Sequence, residues 1–237
     1  MQDESVNEDG CTAPIAALIF DMDGLLVDSE TASAEALRKF LADYDRTFEP
    51  EAVERTLGRR LPEAIAAIAE LYQMPAPIAE LIARYDAMRL QALRGTVTAM
   101  IGAADLLRWA RDQGLKVALA TSSFRTHADV SLAEAGLAGL FDVEVTGDEV
   151  AAGKPAPDLF LLAAERLGVA PAACVVIEDA PAGLEAAARA GMRRIWVPNA
   201  HTRHLVPPVS VQATLVSLQD AMPWLESQSV ARSQSAP

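Results

Sequence analysis

Ala16-Ala17-Leu18-Ile19-Phe20-Asp21-Met22-Asp23-Gly24 is the stretch from which the fold of this chain is read. Five apolar residues ended by a turn predict a buried strand. Side chains alternate along a strand, so Asp21 and Asp23 are expected to project the same way, with Gly24 free to turn the backbone. Two carboxylates that close repel each other. They are tolerated where a cation lies between them or where they have different chemical tasks. An acidic pair at a strand end is common in turns, so its meaning depends on what the rest of the chain places beside it.

Working outward, short apolar runs recur at Lys116 to Thr121, Val143 to Thr146, Cys174 to Ile177 and Arg194 to Val197. Between them lie amphipathic segments, Ile101 to Gln113, Arg125 to Ala135, Pro157 to Leu167 and Ala182 to Ala190. Gly114, Gly136, Gly168 and Gly191 follow these segments as helix-stop signals. Strands alternating with helices predict an α/β fold, a doubly wound parallel sheet of Rossmann-like type. Residues 31–95 carry no strand signal, are rich in Ala, Leu, Glu and Arg, and break near Pro50, Gly58, Pro62 and Pro75 to Pro77. They read as a small helical bundle inserted into the α/β domain. The expected layout is a core of residues 14–29 and 96–224, an insert of residues 30–95, and flexible ends at 1–13 and 225–237.

A chain of 237 residues, 51% hydrophobic, suits a globular protein with one large domain and an insert. The formal charge of −13 and 5% aromatic content argue against nucleic acid or an anionic membrane as partner. No apolar stretch is long enough to span a bilayer, and the acidic first decad is unlike a secretory or transit signal. Cys11 and Cys174 belong to no paired motif and read as buried or incidental thiols. The expectation is a cytoplasmic monomer. An anionic ligand would need a local cation against that overall charge.

In an open parallel sheet, ligands bind beyond the carboxyl ends of the strands. There the chain places Asp21-Met22-Asp23-Gly24, then Thr121-Ser122-Ser123, then Gly153-Lys154-Pro155, then Glu178-Asp179. Hydroxyls and N–H groups beside a helix start can cradle phosphate oxygens. Carboxylates grouped with a phosphate ligand suit Mg2+. Alone, each has a plainer reading: Thr121-Ser122-Ser123 as a helix cap, Lys154 as a solvated lysine, Glu178-Asp179 as a cap for the helix near Pro181. Four such segments after successive strands are not accounted for that way.

Phe20 to Glu30 resembles the first signature of the haloacid dehalogenase-like phosphohydrolases. Ala118 to Ser123 resembles the second, Gly153 to Asp158 the third, and Glu178 to Gly183 the fourth. The helical insert is similar to the cap of the branch holding phosphosugar phosphatases and β-phosphoglucomutase. The resemblance implies that Asp21 is the nucleophile, forming an aspartyl-phosphate. It implies that Asp23 protonates the leaving oxygen and then activates water. Thr121 and Lys154 would hold the phosphoryl group, with Gly24, Ser122 and Ser123 beside it. The implied cofactor is Mg2+, held by Asp21, Asp179 and the Asp23 carbonyl with Glu178 in support. The implied partner is a small phosphorylated metabolite, a sugar phosphate or a pseudouridine-like phosphate. Arg59 and Arg60, at a break in the insert, are candidates for contacting it, or else form an exposed basic turn.

The alternative enzyme is a phosphosugar mutase, although such mutases carry a histidine where this chain has Thr31-Ala32-Ser33. A dehalogenase would lack the second aspartate of the first signature. A phosphoaspartate receiver would be about half this length with no insert. His127, His201 and His204 have no place in this scheme and read as surface or loop residues.

Overall fold

The computed structural model describes residues 13–233, so Cys11 and nearly all of the expected flexible amino end lie outside the described residues. In chain order the elements are β1 (Ala17–Phe20), β2 (Val27–Asp28), α1 (Glu30–Ala42), α2 (Pro50–Glu54), α3 (Leu61–Tyr72) and α4 (Ile78–Leu93). Then follow β3 (Thr98–Ala99), α5 (Ala103–Asp112), β4 (Lys116–Ala120), α6 (Arg125–Glu134), β5 (Val143–Val145) and α7 (Asp158–Leu167). The chain continues through β6 (Cys174–Glu178), α8 (Pro181–Arg189), β7 (Arg193–Trp196), β8 (Ala213–Thr214) and α9 (Ala221–Ser233).

Six strands form one parallel sheet in the order β5-β4-β1-β6-β7-β8. β1 sits between β4 and β6, with Leu18 opposite Val117 on one side and Val175 on the other. The chain first winds outward through β4 and β5, then returns across β1 to β6. That reversal opens a crevice at the carboxyl end of β1, where such sheets bind ligands.

Period-two alternation sends the two faces of β1 into separate cores. Leu18 and Phe20 pack with α5, α6 and α9, whereas Ala17 and Ile19 pack with α7 and α8. All four are fully buried, as expected for a central parallel strand covered on both faces. Gly114, Gly136, Gly168 and Gly191 take φ values of +74°, +67°, +65° and +71°, so the helix-stop reading corresponds to left-handed caps.

α1 to α4 build a third core around Phe40, whose ring meets Tyr44 and Tyr85 edge-on at 5.4 and 5.5 Å. Pro50 and Pro62 occupy first-turn positions of α2 and α3, where a missing N–H costs nothing. The antiparallel pair β2–β3 stands where the chain leaves and re-enters the α/β layer. Two-residue strands carry no readable alternation, and sequence reasoning had no signal for them.

The carboxyl end departs from expectation. The flexible tail expected from residue 225 is instead the continuation of α9, with Ala221 and Leu225 buried one turn apart on the sheet. Residues 234–237 lie outside the described residues. Among the described residues, no helix is long and apolar enough to cross a membrane.

Candidate active site

β1 hands the chain to Asp21, whose N–H still pairs with the Ile177 carbonyl at 3.1 Å. The backbone then folds sharply, with the N–H groups of Leu25, Leu26 and Val27 all directed at the Met22 carbonyl. Gly24 has φ +82°, and a Cβ there would lie 2.5 Å from Asn199 Nδ2 and 2.7 Å from Asp179 Oδ2. Both the backbone angle and the crowding demand glycine.

β6 ends on Glu178-Asp179. One Glu178 oxygen accepts Lys154 Nζ at 2.8 Å, and the other accepts the Ala180 N–H at 2.7 Å. Lys154 also donates to Asp21 Oδ1 and lies 4.9 Å from the centre of the Phe160 ring. It is 4% exposed, so the solvated-lysine reading does not hold. Burial alone would lower its pKa, but Asp21 and Glu178 overcome that and raise it, so the ammonium is retained.

Asp21, Glu178 and Asp179 bring carboxylate oxygens within 4.8 Å of one another. Burial first, with Glu178 adding to it, pushes Asp21 up to about 7 in spite of Lys154. Burial, Glu178 and Asp21 likewise push Asp179 well above the carboxylate range. Asp179 Oδ2 accepts Asn199 Nδ2 at 2.8 Å, while Oδ1 is buried without a hydrogen-bond partner. A partnerless oxygen in a crowded, oxygen-only donor set fits a hard divalent cation.

Asp23 points elsewhere. Its carboxylate accepts the hydroxyls of Ser29 at 2.5 Å and Ser123 at 2.6 Å, and Arg89 at 3.2 Å. Burial would raise its pKa, but Arg89, Ser123 and Ser29 together bring it below the usual carboxylate range. The two aspartates therefore do not share one environment, as the alternation suggested. Asp21 faces the three-carboxylate cluster and Asp23 faces α4.

At the end of β4, Thr121 pairs its N–H with Val145, and its Oγ1 accepts the Ser123 N–H at 3.0 Å. The Ser122 hydroxyl donates to the Gly58 carbonyl at 2.9 Å, joining the sheet layer to the insert. The helix-cap reading of these residues is displaced, since Phe124 stands at the N-cap of α6 and makes no side-chain cap.

The insert closes one side of a cleft of about 870 Å³, counting space open to solvent. Asp21, Asp23, Thr121, Ser122, Ser123 and Asp179 line it from the sheet, and Arg59 and Arg89 from the insert. Arg60 is not part of that lining. Its guanidinium turns to Glu63 and to the carbonyls of Val150 and Gly147, at 2.8 and 3.4 Å. Arg60 is thus a tie between insert and core, a correction to its expected place at the substrate. His127 also differs from its reading as a surface residue. It is fully buried on α6 beside Arg89 and 3.2 Å from Asp86.

Arg89 and Asn199 escaped sequence reasoning. Arg89 lies mid-helix in α4 with no distinguishing spacing. Asn199 follows the fifth apolar run, so inspecting every strand end would have found it.

Residues 15–191 match the family described as haloacid dehalogenase-like hydrolase. The chain is 33% identical over 180 residues to the phosphorylated carbohydrates phosphatase of Thermotoga maritima, covering 76% of this chain and 83% of that one. It is 33% identical over 185 residues to the bifunctional riboflavin kinase/FMN phosphatase of Arabidopsis thaliana. That match covers 78% of this chain and spans 48% of that protein's length. The solved structure of CbbY from Rhodobacter sphaeroides in complex with phosphate is similar with a TM-score of 0.76 and 29% identity, covering 86% of this chain and 95% of that one.

Proposed function

Because the chain belongs to the haloacid dehalogenase-like hydrolases, we propose that it cleaves its phosphate ester with Mg2+ and through an aspartyl-phosphate on Asp21. At the coarser level it is a phosphoric monoester hydrolase acting on small phosphorylated metabolites. The observation that carries the finer reading is the Lys154 ammonium bridging Asp21 and Glu178 beside the partnerless Asp179 oxygen.

Asp21 and Asp179, with the Asp23 main-chain carbonyl, would hold the cation, and Glu178 orients Lys154 next to it. When bound, the cation neutralises charge on the phosphoryl oxygens. Lys154 and the Thr121 hydroxyl hold the same group against Asp21, whose carboxylate attacks phosphorus as the bond to the leaving oxygen breaks. Asp23 gives that oxygen a proton. It then takes one from the water that cleaves the aspartyl-phosphate, returning free phosphate and both aspartates. Without a cation the surroundings raise Asp21 and lower Asp23, the reverse of what a nucleophile and an acid need, so Asp21 depends on the bound cation and Lys154 to be ionised for attack. Asp23 is poised as the base, and for the first half it must take up a proton and loosen from Arg89.

Trapping tests the scheme. With p-nitrophenyl phosphate and Mg2+, Asp23→Asn should release close to one equivalent of p-nitrophenol per enzyme and then slow by about 10²–10⁴-fold. Acid-quenched protein should carry phosphate, and Asp21→Asn should carry none. Unchanged turnover by Asp21→Asn places the nucleophile elsewhere.

A further inference from the structure

The cleft has two unlike halves. Its sheet side is polar, whereas its insert side is walled by Ala34, Leu37, Val53, Leu57, Leu61 and Ala64, with Tyr85 among them. The hydroxyls on that side each already make a bond within the protein, and Glu30, the carboxylate that the insert adds to the lining, lies 3.4 Å from His201 Nε2. Thr56 donates to the Val53 carbonyl at 2.8 Å, and Tyr85 to the Ser33 carbonyl at 3.3 Å. Ser33 Oγ accepts Arg89 at 3.1 Å, and Ser29 donates to Asp23. Before Asp23 takes up its proton, Arg89 directs its remaining N–H groups at Asp23, Ser123 and His127. Arg60 has left the cleft, and Arg59 is exposed at its rim.

From this we infer that the leaving group bound by the insert is an alcohol with an apolar or aromatic body and few hydroxyls, rather than a polyol. The inference rests on the phosphatase reading above, because it concerns the half of the substrate that departs. A sugar ring placed against this wall would set several hydroxyls against carbon, and an unmatched buried hydroxyl weakens binding by about tenfold or more. An apolar body gains there by leaving water. Such contacts act on KM more than on kcat, since they are the same in the bound substrate and at the transition state.

The test compares two alkyl esters of similar bulk, 3-phenylpropyl phosphate and glucose 6-phosphate, with acetyl phosphate as a probe of the chemistry alone. All are measured with saturating Mg2+. The expected kcat/KM is at least tenfold higher for the phenylpropyl ester, with the difference mainly in KM. Val53→Thr, which keeps the shape, and Leu57→Asn, at a half-exposed position, should each narrow that gap several-fold. A preference for glucose 6-phosphate, or no turnover of either ester while acetyl phosphate is hydrolysed in an Asp21-dependent way, overturns this inference alone. No turnover of any of the three overturns the phosphatase reading beneath it. A gap unmoved by both variants, with each folded by its melting curve, removes the apolar wall as its cause.

Discussion

Lys154 is the residue on which the charge balance of the site turns. It is buried, and it alone among the described side chains meets both Asp21 and Glu178. Lys154→Met leaves those carboxylates buried without a counter-charge, which typically costs about 3–5 kcal/mol. A thermal melt should show that loss together with loss of turnover, and a melt unchanged from wild type would mean the pair is solvated. A pH dependence follows from Asp21. Its folded pKa of about 7 lies above the unfolded value of 3.8, so without a cation the folded state holds the extra proton. Stability in chelator should therefore fall as pH rises from about 4 to 7. Mg2+ binding displaces that proton, so the gain in Tm on adding Mg2+ should be larger at pH 8 than at pH 5.5. An equal gain at both would detach the cation from Asp21. At this scale the sequence singled out Asp21, Asp23, Thr121 and Asp179 because each closely follows a buried strand, whereas Lys154 stands on the loop between β5 and α7 and was singled out by the Gly153-Lys154-Pro155 string. Arg89 arrives from the flank of a helix, and its role is set by folding of the insert over the sheet.

Among the elements, α8 carries a glycine against the usual preference. Ordinarily Gly→Ala inside a helix gains about 1 kcal/mol. In α8 a Cβ on Gly183 would lie 1.6 Å from Glu178 Oε1, the atom that receives Lys154. Gly183→Ala should therefore reverse the sign, lowering Tm and kcat together as Glu178 is displaced. A stabilised, fully active variant would show that Glu178 is free to move. Arg60 at the start of α3 makes a similar argument about the join between insert and core. Its stem lies in a notch where a Cβ on Gly153 would come 2.7 Å from Arg60 Nε, and one on Gly147 3.2 Å from Arg60 Cγ. Filling the notch by Gly153→Ala and emptying it by Arg60→Ala should each speed hydrogen exchange in α3, and the double variant should add little to either. Additive effects would separate the two residues. The long elements were legible because four or more residues suffice to show a period. β2, β3 and β8 are too short to show one. In α9, Ala221 and Leu225 are the buried residues among the described side chains, with Met222 and Trp224 partly buried beside them, which is too short a run to show a period.

For the molecule as a whole, the sheet order is not written in any one segment. It follows from short connections that wind to one side of β1 and then the other, and that winding makes the crevice where the four signatures meet. The formal charge of −13 is legible at once, and its consequence is a field that opposes any phosphate ester. Local cations oppose that field only in part. Lys154 and Arg89 are paired with carboxylates, and among the described residues that line the cleft Arg59 is the remaining cation, at the rim. Screening acts chiefly on distant exposed charges, with a Debye length of about 30 Å at 0.01 M salt and about 8 Å at 0.15 M. Repulsion between the whole protein and a dianion should therefore fade by about 1 kcal/mol over that range, while the buried pairs change little. At saturating Mg2+, kcat/KM should accordingly rise several-fold from low to physiological ionic strength, through KM, with kcat nearly constant. Uncharged osmolyte at matched osmolality should have no such effect. A fall in kcat/KM with added salt would mean that Arg59 and the bound cation, and not the net charge, govern the approach of the substrate.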